Sequence, residues 1–116
     1  MKIAVVGSRT FKDYKLLHDC LDGVMKKFTI DLIVSGGAFG ADTLAERFAR
    51  EKGIPTLILK PDWDKHGKSA GFKRNKDIVD AADVVVAFWD GFSSGTKNTI
   101  KLAEKAKKGV VVVTVA

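Results

Sequence analysis

A single cysteine in 116 residues leaves no disulfide framework to hold the fold together. Cys20 lies at helical spacing with Leu16, Leu17, Leu21 and Val24, and reads as a small core residue rather than a reactive thiol. No apolar run approaches the length needed to span a bilayer, and the opening stretch Met1-Lys2-Ile3-Ala4-Val5-Val6-Gly7 is too short for a signal peptide. The expected location is therefore cytoplasmic, without a membrane partner. The Gly-x-x-x-x-Gly-Lys-Ser/Thr pattern is missing, which excludes a P-loop hydrolase. There is no Gly-x-Gly-x-x-Gly after the first apolar stretch, which argues against an ordinary dinucleotide oxidoreductase. No Cys/His group has metal-ligand spacing. No resident cofactor is expected, beyond a magnesium ion arriving with a nucleotide, for which Asp62, Asp64 and Asp90 are the available carboxylates. Repeats, low-complexity segments and linkers are absent too, so residues 1–116 are expected to form one domain.

What the chain does have is a regular alternation of apolar strands and amphipathic helices. Strands are predicted at residues 2–6, 31–35, 55–59, 83–89 and 110–115. Helices are predicted at 13–28 with Asp13 as N-cap, from 40 or 41 to 52 with Gly53 closing it, at 72–81, and at 96–108 with Gly109 at its end. Residues 60–71 read as a long polar loop. Ile3-Ala4-Val5-Val6 and Val84-Val85-Val86-Ala87 are apolar at every position, as strands buried on both faces are. The pattern predicts an α/β fold, a three-layer Rossmann-like doubly wound parallel sheet of about five strands in the order 3-2-1-4-5.

In such a sheet the residues following each strand share one edge, and ligands bind there, where the strand order reverses. The unusual residues of this chain all follow strands. Gly7, Ser8 and Arg9 follow the first; Gly36, Gly37, Gly40 and Asp42 follow the second. Asp62 and Trp63 follow the third, and Asp90, Gly91, Ser94, Gly95 and Thr96 follow the fourth. Arg74 and Asn75 open the helix beyond the polar loop. Glycine-rich turns running into helix starts suit an anion, most simply a nucleotide phosphate, with Arg9 and Arg74 as guanidinium clamps. Trp63 and Trp89 are candidates for stacking on a base, and Asp42 and Asp90 are the candidate catalytic carboxylates.

Two further features bear on partners. The net charge is +6, and Lys97, Lys101, Lys105 and Lys108 recur three or four apart on the last helix, which offers a nucleic-acid-binding face or simply a solvated one. The last strand, Val110-Val111-Val112-Val113-Thr114-Val115, is apolar and carries no charge; as a sheet edge it predicts a homo-oligomer that covers it.

Together, Val6-Gly7-Ser8-Arg9, Ser35-Gly36-Gly37-Ala38-x-Gly40-Ala41-Asp42, Pro61-Asp62-Trp63, Ala70-Gly71 with Arg74-Asn75, and Ala87-Phe88-Trp89-Asp90-Gly91-x-Ser93-x-Gly95-Thr96-Lys97 resemble the YspA/YpsA-related branch of the SLOG superfamily. The resemblance runs over essentially the whole chain. It implies a Rossmann-like fold and a nucleotide-type ligand lying across the turns at 36–42 and 91–96. The superfamily includes the lonely-guy phosphoribohydrolases, the DNA-processing protein DprA and modules thought to sense nucleotide-derived signals. Its hydrolases carry acidic residues after a Pro-Gly-Gly-x-Gly-Thr turn, whereas Gly95-Thr96 is followed here by Lys97-Asn98-Thr99. Binding of a nucleotide or nucleotide-derived small ligand is thus the leading expectation. A nucleoside-5'-phosphate N-glycosidase and a nucleic-acid-binding module are the alternatives.

Overall fold

In the computed structural model, which describes residues 1–115, five parallel strands form one sheet in the order β3-β2-β1-β4-β5. The strands are β1 (Lys2–Gly7), β2 (Leu32–Ser35), β3 (Thr56–Ile58), β4 (Val84–Trp89) and β5 (Gly109–Thr114). The helices are α1 (Tyr14–Met25), α2 (Ala41–Lys52), α3 (Trp63–His66), α4 (Ala70–Ala81) and α5 (Ser94–Lys105), with a 3-10 turn at Gly67–Ser69. This is the predicted doubly wound arrangement, and its reversal lies between β1 and β4.

Alternation along the central strands builds the two sides. Ile3 and Val5 of β1, with Val86 and Phe88 of β4, point to the layer of α1 and α2, where Leu17, Leu21 and Phe48 pack on them. Ala4 and Val6, with Val85 and Ala87, point to the layer of α4 and α5 and meet Ile78, Val79 and Ile100. Because both faces are covered, these strands can be apolar throughout without exposing anything. Phe11 stacks on Phe88 with ring centroids 5.0 Å apart, sealing the end of the first layer beneath the β1–α1 turn.

Several boundaries depart from expectation. Asp13 does cap α1, accepting from the Leu16 amide at 3.1 Å, but the helix stops at Met25 rather than reaching Phe28. Gly53 closes α2 in the left-handed conformation, as expected. The polar loop at 60–71 is instead ordered. Asp62 caps the short α3, accepting from the Lys65 amide at 3.1 Å, and α4 begins at Ala70, a residue fully packed against the core. The last helix starts at Ser94 and ends at Lys105. Lys107, not Gly109, takes the left-handed position after it (φ 59°), and Gly109 already belongs to β5. Lys108 therefore lies outside the helix, half-buried. Cys20 is half-buried at the margin of the core, and burial pushes its thiol up from its ordinary pKa.

No helix among the described residues is long and apolar enough to cross a membrane. β5 is an edge strand with Val111 and Val112 both exposed, so the apolar edge expected from the sequence is present.

Candidate functional site

The edge at which β1 and β4 part opens into a cleft of about 510 Å³. Its walls come from the β1–α1 turn, the start of α5, α4, and the α3 segment, with Arg9, Arg74, Asn75, Trp63 and Thr96 among the lining side chains. A site at this point follows from the topology, since the connections from β1 and β4 leave on opposite faces and cannot fill the space between them.

The floor is held by an ionic knot. Arg74, half-buried, donates from Nη1 to the carbonyls of Gly36 (2.7 Å) and Leu59 (3.3 Å) and from Nε to Asn75 Oδ1 (3.1 Å). It thereby ties the ends of β2 and β3 to α4. Asp42 Oδ2 accepts from the amides of Gly36 (3.1 Å) and Ala38 (3.2 Å), holding the loop that Arg74 grips from the other side. A Cβ at residue 36 would stand 2.6 Å from Arg74 Nη1 and 2.8 Å from Asp42 Oδ2, so any side chain there would push these two groups out of their hydrogen bonds. Gly40 has φ +85°, and a Cβ on it would lie 2.3 Å from the Ser8 carbonyl, so glycine is required there, where α2 starts against the β1–α1 turn.

The charges in the cleft are unequal in availability. Burial pushes the Asp42 carboxyl up to about 6, against the pull of Arg74 and of the two amides. Asp90 goes the other way: its Oδ1 accepts from the Phe92 and Ser93 amides, both at 2.8 Å, which holds its carboxyl below the usual range. Burial lowers Arg74's pKa, and Arg9 across the cleft lowers it further, so two guanidiniums face one space. Lys68 joins them on the lining. Both acids already serve backbone amides, whereas Arg9 is exposed and has no hydrogen-bond or ion-pair partner among the described residues.

On the far wall, Ser93 rather than Thr96 caps α5: its Oγ accepts from the Thr96 amide (3.5 Å) and lies 3.1 Å from Thr96 Oγ1. The amides of Ser94 and Gly95 at the head of the helix lie beside the cleft, where the helix dipole is positive. Asn75, buried, bridges the two helices through Nδ2 to Asn98 Oδ1 (3.1 Å) and the Gly95 carbonyl (3.4 Å). Trp89 does not stack on anything in the cleft; its Nε1 donates to the Ser93 carbonyl at 3.1 Å and staples the turn.

Of the residues singled out from the sequence, Gly7, Ser8, Arg9, Asp42, Trp63, Arg74, Asn75, Asp90, Ser94, Gly95 and Thr96 line this cleft. Gly36, Gly37, Gly40, Asp62 and Gly91 do not. They shape the loops and the α3 cap behind it. Among the described residues no three of His, Cys, Asp or Glu gather as a metal site, so Asp62, Asp64 and Asp90 form no shared magnesium cluster. Lys68, Gly71, Phe72 and Ser93 also line the cleft and were not named as site residues from the sequence, although Gly71 and Ser93 stand in the quoted motifs. Ser93 had a signal, a serine three residues before Thr96 at a helix start. Lys68 had none while residues 60–71 read as a polar loop, and Phe72 read only as the first residue of the predicted helix.

The model of the YspA, cpYpsA-related SLOG family (YAcAr) matches residues 1–66. The Gene 61 protein of Mycobacterium phage D29 is 38% identical over 112 residues, covering 90% of each chain. The chain belongs to the YspA, cpYpsA-related SLOG family. Its fold is shared with DNA processing protein A (DprA) of Streptococcus pneumoniae, at a TM-score of 0.79 and 22% identity over 99% of this chain and 50% of that one. DprA of Helicobacter pylori, solved to describe its single-stranded DNA binding mode, aligns at a TM-score of 0.76 and 24% identity over 100% of this chain and 66% of its own. This SLOG chain thus spans half the length of the pneumococcal protein.

The knot at Asp42 makes stability depend on pH in a defined sense. Between about pH 4 and 6 the native carboxyl holds a proton that the unfolded chain has released, so its contribution falls as pH rises through that window. Asp42→Asn, which still accepts both amides, is expected to remove this slope and to stabilise the protein at pH 7 by about 1–3 kcal/mol. Asp42→Ala, which strands two amides, is expected to lose about 1–3 kcal/mol per amide. Urea denaturation of the three proteins across pH 4–8 checks this. A difference between wild type and Asp42→Asn that does not change with pH would contradict it.

Proposed function

We propose that the cleft binds a nucleotide unit of single-stranded nucleic acid, with the phosphate on Arg9 and the free amides at the head of α5. The observation that carries this reading is the combination of cations and exposed aromatic rings around one opening. Trp63 and Phe72, 55% and 56% exposed, line the cleft beside Arg9 and Lys68. Phe39 and Phe92, 82% and 90% exposed, stand in the two glycine turns that flank it. Exposing four large rings to water is unfavourable unless something covers them, and bases stack on such rings regardless of sequence. The DNA-binding mode described for the Helicobacter pylori protein of the same fold supports this choice.

A free nucleotide or nucleotide-derived ligand is the second reading. It is favoured by the cleft's volume, which suits a small molecule, and by Asp42 at its floor, an acceptor for ribose hydroxyls. The N-glycosidase reading has less support, because Asp42 and Asp90 are both engaged by backbone amides.

Fluorescence anisotropy with a labelled oligothymidylate tests the proposal, with unlabelled nucleoside monophosphates and ADP-ribose as competitors. Oligonucleotide binding is expected, and Arg9→Gln is expected to weaken it about tenfold to a hundredfold, the loss of charge-assisted hydrogen bonds. Equal affinity for monophosphate and oligonucleotide would favour the second reading, and no binding of either would overturn both. The exposed β5 edge supports a further proposal, antiparallel pairing with the β5 of a second copy. Centred between Val111 and Val112, such pairing sets Lys107 and Lys108 away from their counterparts. Light scattering at micromolar concentration should give a dimer, and a Val111→Lys variant a monomer; a monomeric wild type would refute the pairing.

A further inference from the structure

We infer that the outer face of α5 is the track along which a bound single strand leaves the cleft; this rests on the nucleic-acid reading above. The helix buries Thr96, Thr99, Ile100 and Ala103 against the sheet and turns Lys97, Lys101 and Lys105 to solvent. Each four-residue step advances about 6 Å, so the three ammonium groups form a row about 12 Å long that starts at the cleft wall. Lys107 and Lys108 continue the charge past the helix end. From Ser94 to Lys108 five lysines face a single Glu104, which places +4 of the chain's net +6 in α5 and the turn that follows it.

Solvation alone does not account for the arrangement. Each of the other long helices carries an i,i+4 ion pair on its wet face: Lys15–Asp19 on α1, Arg47–Glu51 on α2 and Lys76–Asp80 on α4. Among the described residues α5 carries none. Its first turn has no acidic side chain and runs straight into Lys97, so the positive end of the helix dipole is reinforced rather than offset. Like charges spaced one turn apart repel, and a row of phosphates relieves that repulsion along its whole length. Trp63 and Phe72 hold bases at the opening, and the helix holds the backbone beyond it.

The test is the salt dependence of oligothymidylate binding, at about 16 and about 4 nucleotides, for wild type, Lys97→Gln/Lys101→Gln/Lys105→Gln, Arg9→Gln, and a control triple, Lys15→Gln/Lys26→Gln/Lys76→Gln. All three variants are first shown to share wild-type secondary structure and melting temperature. For a single strand each neutralised phosphate adds about 0.7 to the slope of log K against log salt. The α5 triple is therefore expected to flatten the slope for the long oligonucleotide by about 2, erase its advantage over the short one, and leave the short one bound as before. The control triple, with the same net charge, should leave the slope unchanged. An unchanged slope in the α5 triple overturns the track, as does equal flattening in the control or binding of the wild type to anionic vesicles in place of oligonucleotides. Arg9→Gln separates the two readings. If it weakens both lengths while the α5 triple does nothing, the cleft stands and the track falls. If it does nothing while the α5 triple flattens the slope, the track stands and the cleft reading falls.

Discussion

The grip of Arg74 on the Gly36 carbonyl, opposed by Asp42 on the Gly36 and Ala38 amides, is the contact on which the site depends. Those bonds fix where β2 ends and where the turn into α2 begins. They also fix α4, because the same guanidinium reaches Leu59 at the end of β3 and Asn75 beside it. Asn75 passes the constraint on to Asn98 and the Gly95 carbonyl, and so to the head of α5. One half-buried cation therefore ties two walls of the cleft, α4 and the head of α5, to the ends of β2 and β3. The arrangement is costly in isolation, since burial disfavours both charges, and it holds because each has backbone partners as well as the other charge.

This division of labour explains the character of the cleft. The side chains most deeply involved in charge, Asp42 and Arg74, are spent largely on architecture. Arg9, Lys68 and the head of α5 remain available to a ligand. A surface with free cations, exposed rings and engaged acids suits holding a phosphate-bearing molecule better than cleaving one, since a general acid or base must be free to exchange its proton with substrate.

The strand order and the cleft at the β1–β4 reversal were legible in the sequence because they follow from alternation and from right-handed crossovers, which burial enforces over many residues. Arg9 was legible because it follows a strand; Arg74 and Asn75 were singled out as a helix opening, but α4 begins at Ala70 and places them in its second turn. The role of Gly36 was not legible: it leaves room for the end of Arg74, 38 positions away, and no local pattern encodes that approach. The ordering of residues 60–71 escaped for a related reason. α3 buries none of its residues, so it has no periodic apolar face to read, only the cap at Asp62. Gly109 was misplaced because glycine is the usual left-handed residue after a helix, while here Lys107 takes that conformation and releases Gly109 to start β5, where a Cβ would sit 2.9 Å from a Val84 methyl.

The central claim is that a phosphate-bearing strand sits between the β1–α1 turn and the head of α5. The most direct measurement is an amide chemical-shift titration of the labelled protein with a short oligothymidylate. The largest shifts are expected on Arg9, Thr10, Ser94, Gly95 and Thr96, saturating together. Shifts that are absent there, or confined to the α1–α2 layer on the other side of the sheet, would contradict it.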